Sequence, residues 1–446
     1  TGSLRIALDA ADTRRFSTPM TTRPHLELFP PVGLGLVLES LVFTLLVAGV
    51  VVGVTVARAP RRTLLVLGGG TLAGAALRWW LAPATLMDMS NYEREPVLFQ
   101  WFATAGLPLQ VLFPDGWDRW QQILAADLAV SIVLPLVVYA HAEVCFADTR
   151  VSLLAAALFA FCPIPIYFAR SDNLYVTSAL LSSLTFVLLH AATSARFRIE
   201  EVLAGLAALM LFSVTLSARQ ENFLFGGLAL APAVLVLRAR ERGWWHRIVW
   251  PLGVFVLAFR RFWETSKWQA GGDSASLADT AAIVFRVWTP DPILHLAWTN
   301  NYVVKPWILP LGYAVLAVVG LVVAWRSQRA AFAYVTWWFA IFYLGHGIIP
   351  AWDDTAAARY GMHTIIPVTF AAAFGLAWSL DALRGWQPAD PRRRTVAHAG
   401  LALGALATTW VGFGLFRQPE SDVQQEYRFL RELTARGGAA LPAIAA

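Results

Sequence analysis

Residues 33–57 read GLGLVLESLVFTLLVAGVVVGVTVA, with Glu39 as the single ionisable side chain, and run directly into Arg58-Ala59-Pro60-Arg61-Arg62. A helix needs about 20 apolar residues to cross the hydrocarbon core of a bilayer. This stretch meets that length and ends in a basic turn, so it reads as a membrane span. Further apolar runs of similar length lie near 63–82, 123–145, 151–169, 174–194, 200–217, 222–238, 247–263, 308–326, 330–349, 361–382 and 395–416. The expectation is an all-α, polytopic transmembrane bundle of about twelve spans.

Composition excludes the alternatives. Of 446 residues, 57% are hydrophobic and only 14% charged, against about 25% charged in ordinary soluble domains. The mean hydropathy is +0.56. A soluble fold could not cover its surface with so few charges, and a disordered chain or disulfide scaffold would look quite different. The net charge of +6 invites no nucleic-acid partner, because the arginines punctuate apolar runs as membrane loops do. Cys145 and Cys162 fall inside apolar runs and are not expected to pair.

The basic residues orient the spans. Arg58, Arg61 and Arg62 are followed at alternate crossings by Arg150, by Arg196 and Arg198, by Arg238 to Arg247, by Arg326 and Arg329, and by Arg384 with Arg392 to Arg394. All fall on one face under a count of twelve, and that face is cytoplasmic by the positive-inside rule. The other face then carries the long connections 83–122, 264–307 and 350–360. The expected organisation is a polar tail at 1–32, a transmembrane domain at 33–416 and a short extracytoplasmic segment at 417–446. The tail is polar and Pro-containing, unlike a cleaved leader. Trp79, Trp80, Trp101, Trp117, Trp120, Trp263 and Trp268 fit an interfacial aromatic belt.

Four outer-face elements carry candidate chemistry. The first loop, Met87-Asp88-Met89-Ser90-Asn91-Tyr92-Glu93-Arg94-Glu95, gathers carboxylates at a membrane boundary, where one can act as general base. Pro163-Ile164-Pro165 breaks a helix ahead of Arg170-Ser171-Asp172-Asn173. Arg219-Gln220-Glu221-Asn222 sits at the outer end of the sixth run. Arg359-Tyr360, with His363 one turn on, opens the eleventh, where a guanidinium and helix N-terminal amides suit a lipid-linked phosphate. Each has a plainer reading: a solvated loop, a capped hairpin, a structural ion pair and an interfacial arginine respectively. Lys305, ahead of the ninth run, is a further phosphate contact or an interfacial anchor. Asp353, Asp354, His346 and His363 supply metal-ligand types, but their spacing matches no ligand pattern, so no metal or cofactor is expected.

Taken in order, these pieces resemble the GT-C superfamily of polytopic glycosyltransferases, especially bacterial relatives of protein O-mannosyltransferases and aminoarabinose transferases. Asp88 to Tyr92 looks like that family's first loop, and the Pro-containing junction ending in Ser171-Asp172-Asn173 looks like its second. Ala204-Gly205-Leu206-Ala207, followed by Ser217-Ala218-Arg219, resembles its glycine-bearing helix; Arg359-Tyr360 with Pro367 resembles its late helix. The family usually has an adjacent Asp-Glu pair where this chain has Asp88-Met89, with Glu93 further on.

The resemblance implies inverting transfer of a sugar from a polyprenyl-phosphate donor to a lipid, glycan or protein acceptor outside a bacterial inner membrane. It makes Asp88 or Glu93 the base and Arg359, Tyr360 and Lys305 the donor-phosphate group. Asp172, Arg219, Glu221 and His363 fall on the acceptor side or behind the reacting groups. The alternatives are a catalytically silent subunit of a membrane complex, which would add a protein partner, and a polytopic transporter.

Overall fold

The computed structural model describes residues 34–84, 119–171, 175–218, 222–225, 247–269, 305–346, 354–385 and 411–417, with isolated positions at 235, 276, 278, 282 and 395. The helices are α1 (Leu34–Ala57), α2 (Arg61–Leu81), α3 (Arg119–Phe146), α4 (Thr149–Phe161), α5 (Pro163–Tyr167), α6 (Tyr175–Ser194), α7 (Arg198–Ala218), α8 (Val249–Gln269), α9 (Leu311–Ser327), α10 (Arg329–His346) and α11 (Asp354–Gly385). One-turn pieces follow α5 at Phe168–Arg170 and occur at Asn222–Leu224 and Phe413–Arg417.

Among the described residues, five stretches are long and apolar enough to cross a membrane: Arg61–Leu81, Asp127–Phe146, Tyr175–Ser194, Arg198–Leu216 and Gly361–Leu383. The pair Thr149–Phe161 and Pro163–Arg170, bent by 49°, makes a sixth if taken as one broken span. The described residues thus account for five or six of the expected twelve. Two of the runs, 222–238 and 395–416, fall mostly outside the described residues. Helices α8 and α10 occupy two more but are not among the qualifying stretches.

The break between α4 and α5 has a local cause. Pro163 lacks the N–H that would bond the Phe159 carbonyl, and the residue before a proline is pushed toward extended geometry. Cys162 accordingly sits at φ −69°, ψ 131°, with its own N–H bonded to Phe159 O at 3.3 Å. At the other end of α4, Asp148 caps the helix by accepting from the Arg150 and Val151 amides at 3.0 and 3.1 Å.

Arginine-bearing turns join helix ends as an up-and-down bundle requires. Arg150, at the start of α4, holds Asp381 near the end of α11 through contacts of 2.7 and 2.8 Å. Arg247, just before α8, closes the end of α6 through the Thr193 and Ala195 carbonyls and lies 3.7 Å from Glu201. Cys145 and Cys162 are both buried, and neither is in a disulfide among the described residues.

The core sits among α3, α4, α6, α7, α10 and α11, where Phe186, Phe212, Tyr334, Trp338, Phe342 and Phe370 are fully buried. Helix α2 instead leaves Leu65, Leu72, Trp79 and Trp80 exposed, as a bilayer-facing helix would. Helices α9 and α11 run in the same direction and cross at Gly320 and Gly375. A Cβ on Gly320 would lie 1.7 Å from Ala371 O, so only glycine permits the approach.

Candidate functional site

The first polar assembly lies at the end of the bundle opposite the arginine-bearing turns, where α11 begins, α6 begins and α7 ends. Arg359 and His363 are four residues apart on α11 and share one face. Both are buried, at 6% and 4% exposure. A snorkelling arginine would hold its guanidinium in water, so the burial of Arg359 argues against the plain interfacial role.

His363 is held on three sides. Its Nε2 lies 3.0 Å from Asn222 Oδ1 and 3.3 Å from Ser178 Oγ. Its ring stacks on Phe342 at 4.7 Å and meets the edge of Tyr175 at 4.9 Å. Asn222 Oδ1 also accepts from Ser178 Oγ at 2.6 Å, while Asn222 Nδ2 donates to the Thr215 carbonyl. That last bond fixes which way the amide points. With its oxygen facing His363, Nε2 must carry the proton, so neutral His363 is the Nε2–H tautomer. Ser178 is absent from the sequence-level candidates, and Asn222 enters them only as the residue after Glu221. Their signal is weak: Ser178 is a single polar residue within an apolar helix, and Asn222 is an uncharged residue beside a charged pair.

A second assembly stands on α3 and the α5–α6 junction. Asp127 is fully buried and accepts from the Ser171 amide at 3.3 Å and from Thr177 Oγ1 at 3.4 Å. It ties down the residue just before Asp172 and the first turn of α6. A buried carboxylate in a membrane helix marks function or a satisfied network. In the sequence it is one polar residue inside the 123–145 run. One turn on, Ser131 Oγ accepts from Arg78 Nε at 2.8 Å.

Lys305 is half-buried on another wall, ahead of α9, where its carbonyl accepts from Ile308 and Leu309 amides at 2.9 and 3.1 Å. Nearby Trp307 O receives the Leu415 amide at 2.9 Å, so the 413–417 turn packs there. The structure thus brings Arg359 and His363 together and sets Lys305 on a separate segment. Asp88, Glu93, Asp172, Arg219 and Glu221 lie outside the described residues, as does the side chain of Tyr360. Among the described residues no three His, Cys, Asp or Glu side chains converge as metal ligands, and His363 Nε2 is already engaged.

The glycine in Ala204-Gly205-Leu206-Ala207 has a packing reason. Gly205 of α7 seats the Trp250 ring of α8, whose Nε1 donates to Glu201 Oε1 at 3.3 Å. A Cβ at Gly205 would come within 2.2 Å of that ring.

No protein-family model and no curated protein matches the sequence. Among solved structures, the chain is similar to the oligosaccharyltransferase AglB of Archaeoglobus fulgidus in complex with an inhibitory peptide and a dolichol-phosphate. The identity is 14%, the TM-score 0.50, and 83% of this chain is covered. The same organism's oligosaccharyltransferase in complex with zinc and sulfate, and in the apo form, aligns at 13% identity with TM-scores of 0.43 over 76% and 90% of this chain. This chain spans 58%, 47% and 58% of the three neighbours' lengths, in the same order. At such identity the likeness is one of fold: the chain shares the helical membrane architecture of the first of these neighbours.

Proposed function

We propose that this chain, built on the GT-C membrane fold, is a membrane glycosyltransferase that moves a sugar from a polyprenyl-phosphate-linked donor to an extracytoplasmic acceptor. The observation that carries the proposal is Arg359, a buried guanidinium in the second turn of α11, one turn outside the anchored His363. It stands in a fold whose solved neighbour was captured with a dolichol-phosphate. A lipid donor can enter sideways between helices, so a nucleotide pocket is not needed.

The chemistry is a single displacement. A first-loop carboxylate, Asp88 or Glu93, takes the proton from the acceptor hydroxyl. The acceptor oxygen bonds the anomeric carbon as the bond from that carbon to the phosphate oxygen breaks, inverting the centre. The departing polyprenyl phosphate keeps the electron pair, and a cation stabilises it. Arg359 is the donor-phosphate contact in this scheme, with Tyr360 beside it and Lys305 a further cation. Asp172, Arg219, Glu221 and His363 shape the acceptor side. The acceptor is a lipid, glycan or protein at the outer face of a bacterial inner membrane.

The test is incubation of purified protein with labelled polyprenyl-phosphate sugars and acceptors extracted from membranes. Label should pass to an acceptor with inverted anomeric configuration. Retained configuration would contradict the single displacement. Failure of every donor would favour the silent-subunit alternative.

A further inference from the structure

Arg78, in the last turn of α2, is the one fully buried arginine among the described residues. Its Nε donates to Ser131 Oγ at 2.8 Å, and its Nη1 donates to the carbonyls of Gly74 at 3.0 Å and Ala160 at 2.6 Å. All three acceptors are neutral. Ala160 O is available because the helix breaks just beyond it, at Cys162-Pro163. Nη2 is buried and has no hydrogen-bond partner, and no carboxylate pairs with this guanidinium among the described residues. Asp127, one turn from Ser131 on α3, is turned instead to Ser171 and Thr177.

A guanidinium stays charged in a protein, and a cation out of water needs either an anion or a full set of hydrogen bonds. Here the carbonyls of a broken helix satisfy Nε and Nη1, and a free donor bearing the charge is left over. Depth indicates what it meets. Arg78 lies three residues from the end of α2, beside Trp79 and Trp80, which are 72% and 87% exposed. Exposed tryptophans mark the level of lipid headgroups, where phosphate is the abundant anion, and arginine favours phosphate oxygens.

We propose that Arg78 Nη2 is the binding point for a phosphate group, entering at the outer end of α2 against the α4–α5 break. The site is formed by α2, α3 and α4, whereas Arg359 belongs to α11. It goes beyond the transferase proposal and stands or falls without it. The phosphate can arrive on a lipid headgroup or as a free anion.

Thermal unfolding of the purified protein in maltoside micelles, which contain no phosphate, separates these sources. Dioctanoyl phosphatidic acid should raise the unfolding midpoint saturably, and dioctanoylglycerol, with the same tails and no phosphate, should not. Arg78→Gln should abolish the shift. Because that variant alters a buried residue, Ser131→Asp provides the second arm: it sets a carboxylate beside Arg78 and should weaken the lipid at least tenfold in a folded protein. Arg150→Gln, which removes a partly exposed arginine paired with Asp381 at the other end, should respond as wild type. The same pattern with inorganic phosphate alone would make the occupant a soluble anion at this site. No saturable shift with either probe, or an undiminished shift in Ser131→Asp, would overturn the proposal.

Discussion

His363 Nε2 lies 3.0 Å from Asn222 Oδ1, which ties the buried face of α11 to the one-turn helix beyond α7. The same oxygen takes the Ser178 hydroxyl at 2.6 Å, so one amide joins three segments of the bundle. Polar groups buried in this way cost free energy as soon as a partner is lost.

Asn222→Leu should therefore destabilise the protein by about 1–3 kcal/mol, because it leaves Ser178, His363 and the Thr215 carbonyl without their shared partner. Thermal unfolding in detergent measures the loss. An unchanged midpoint would show that the amide does not organise this end of the bundle.

The crossing of α9 and α11 makes a sharper packing prediction. Gly320→Ala would place a methyl 1.7 Å from Ala371 O, and a backbone carbonyl cannot rotate away as a side chain can. The helices must separate, and such overpacking costs about 1–3 kcal/mol. Gly69→Ala on α2, with nothing within 4 Å of the new methyl, should leave stability unchanged or raised. The pair of unfolding midpoints decides; equal midpoints would refute the close crossing.

The sequence yielded the helices more readily than their faces. The runs near 63–82, 174–194 and 200–217 correspond to Arg61–Leu81, Tyr175–Ser194 and Arg198–Ala218. Pro163 and Pro165 foretold the break, since a missing N–H is a local property. What stayed hidden was direction. Most of α3 and α6 is apolar, so little periodicity marks the buried side. Asp127 and Ser178 therefore carry little signal, Asn222 stands out only through its charged neighbours, and Arg78 is one arginine beside Trp79 and Trp80. The belt assignment suits those two tryptophans, while Trp338 is buried in the core. Arg359 and His363 could be placed together because four residues on a helix always share a face.

The two ends of the bundle should differ in access. With Cys145 and Cys162 replaced by alanine, Ser276→Cys should react with an impermeant thiol reagent on intact cells. Ser327→Cys, at the arginine-bearing end, should react only after permeabilisation. Both positions are exposed in the fold, so differing labelling reports sidedness rather than burial. The reverse pattern would invert the topology and move the proposed site to the cytoplasm.

Arg359→Lys separates a phosphate contact from simple positive charge. An ammonium cannot reproduce the planar fork of a guanidinium. Apparent donor affinity should fall markedly in Arg359→Lys and further in Arg359→Ala, with expression and unfolding midpoint little changed. Equal donor affinity in both variants would remove Arg359 from the donor site and turn attention to Lys305 or Arg219.

The most direct test of sugar transfer compares wild type, Asp88→Asn and Glu93→Gln in the labelled-donor assay. Both substitutions are nearly isosteric and remove only the basic oxygen. A general base contributes about a hundred- to ten-thousand-fold in rate. The account predicts that wild type transfers label from a polyprenyl-phosphate sugar and that one of the two variants loses transfer by that factor while remaining folded. Undiminished transfer in both variants would contradict the first-loop base, and no transfer by wild type from any donor in the panel would contradict the enzyme itself.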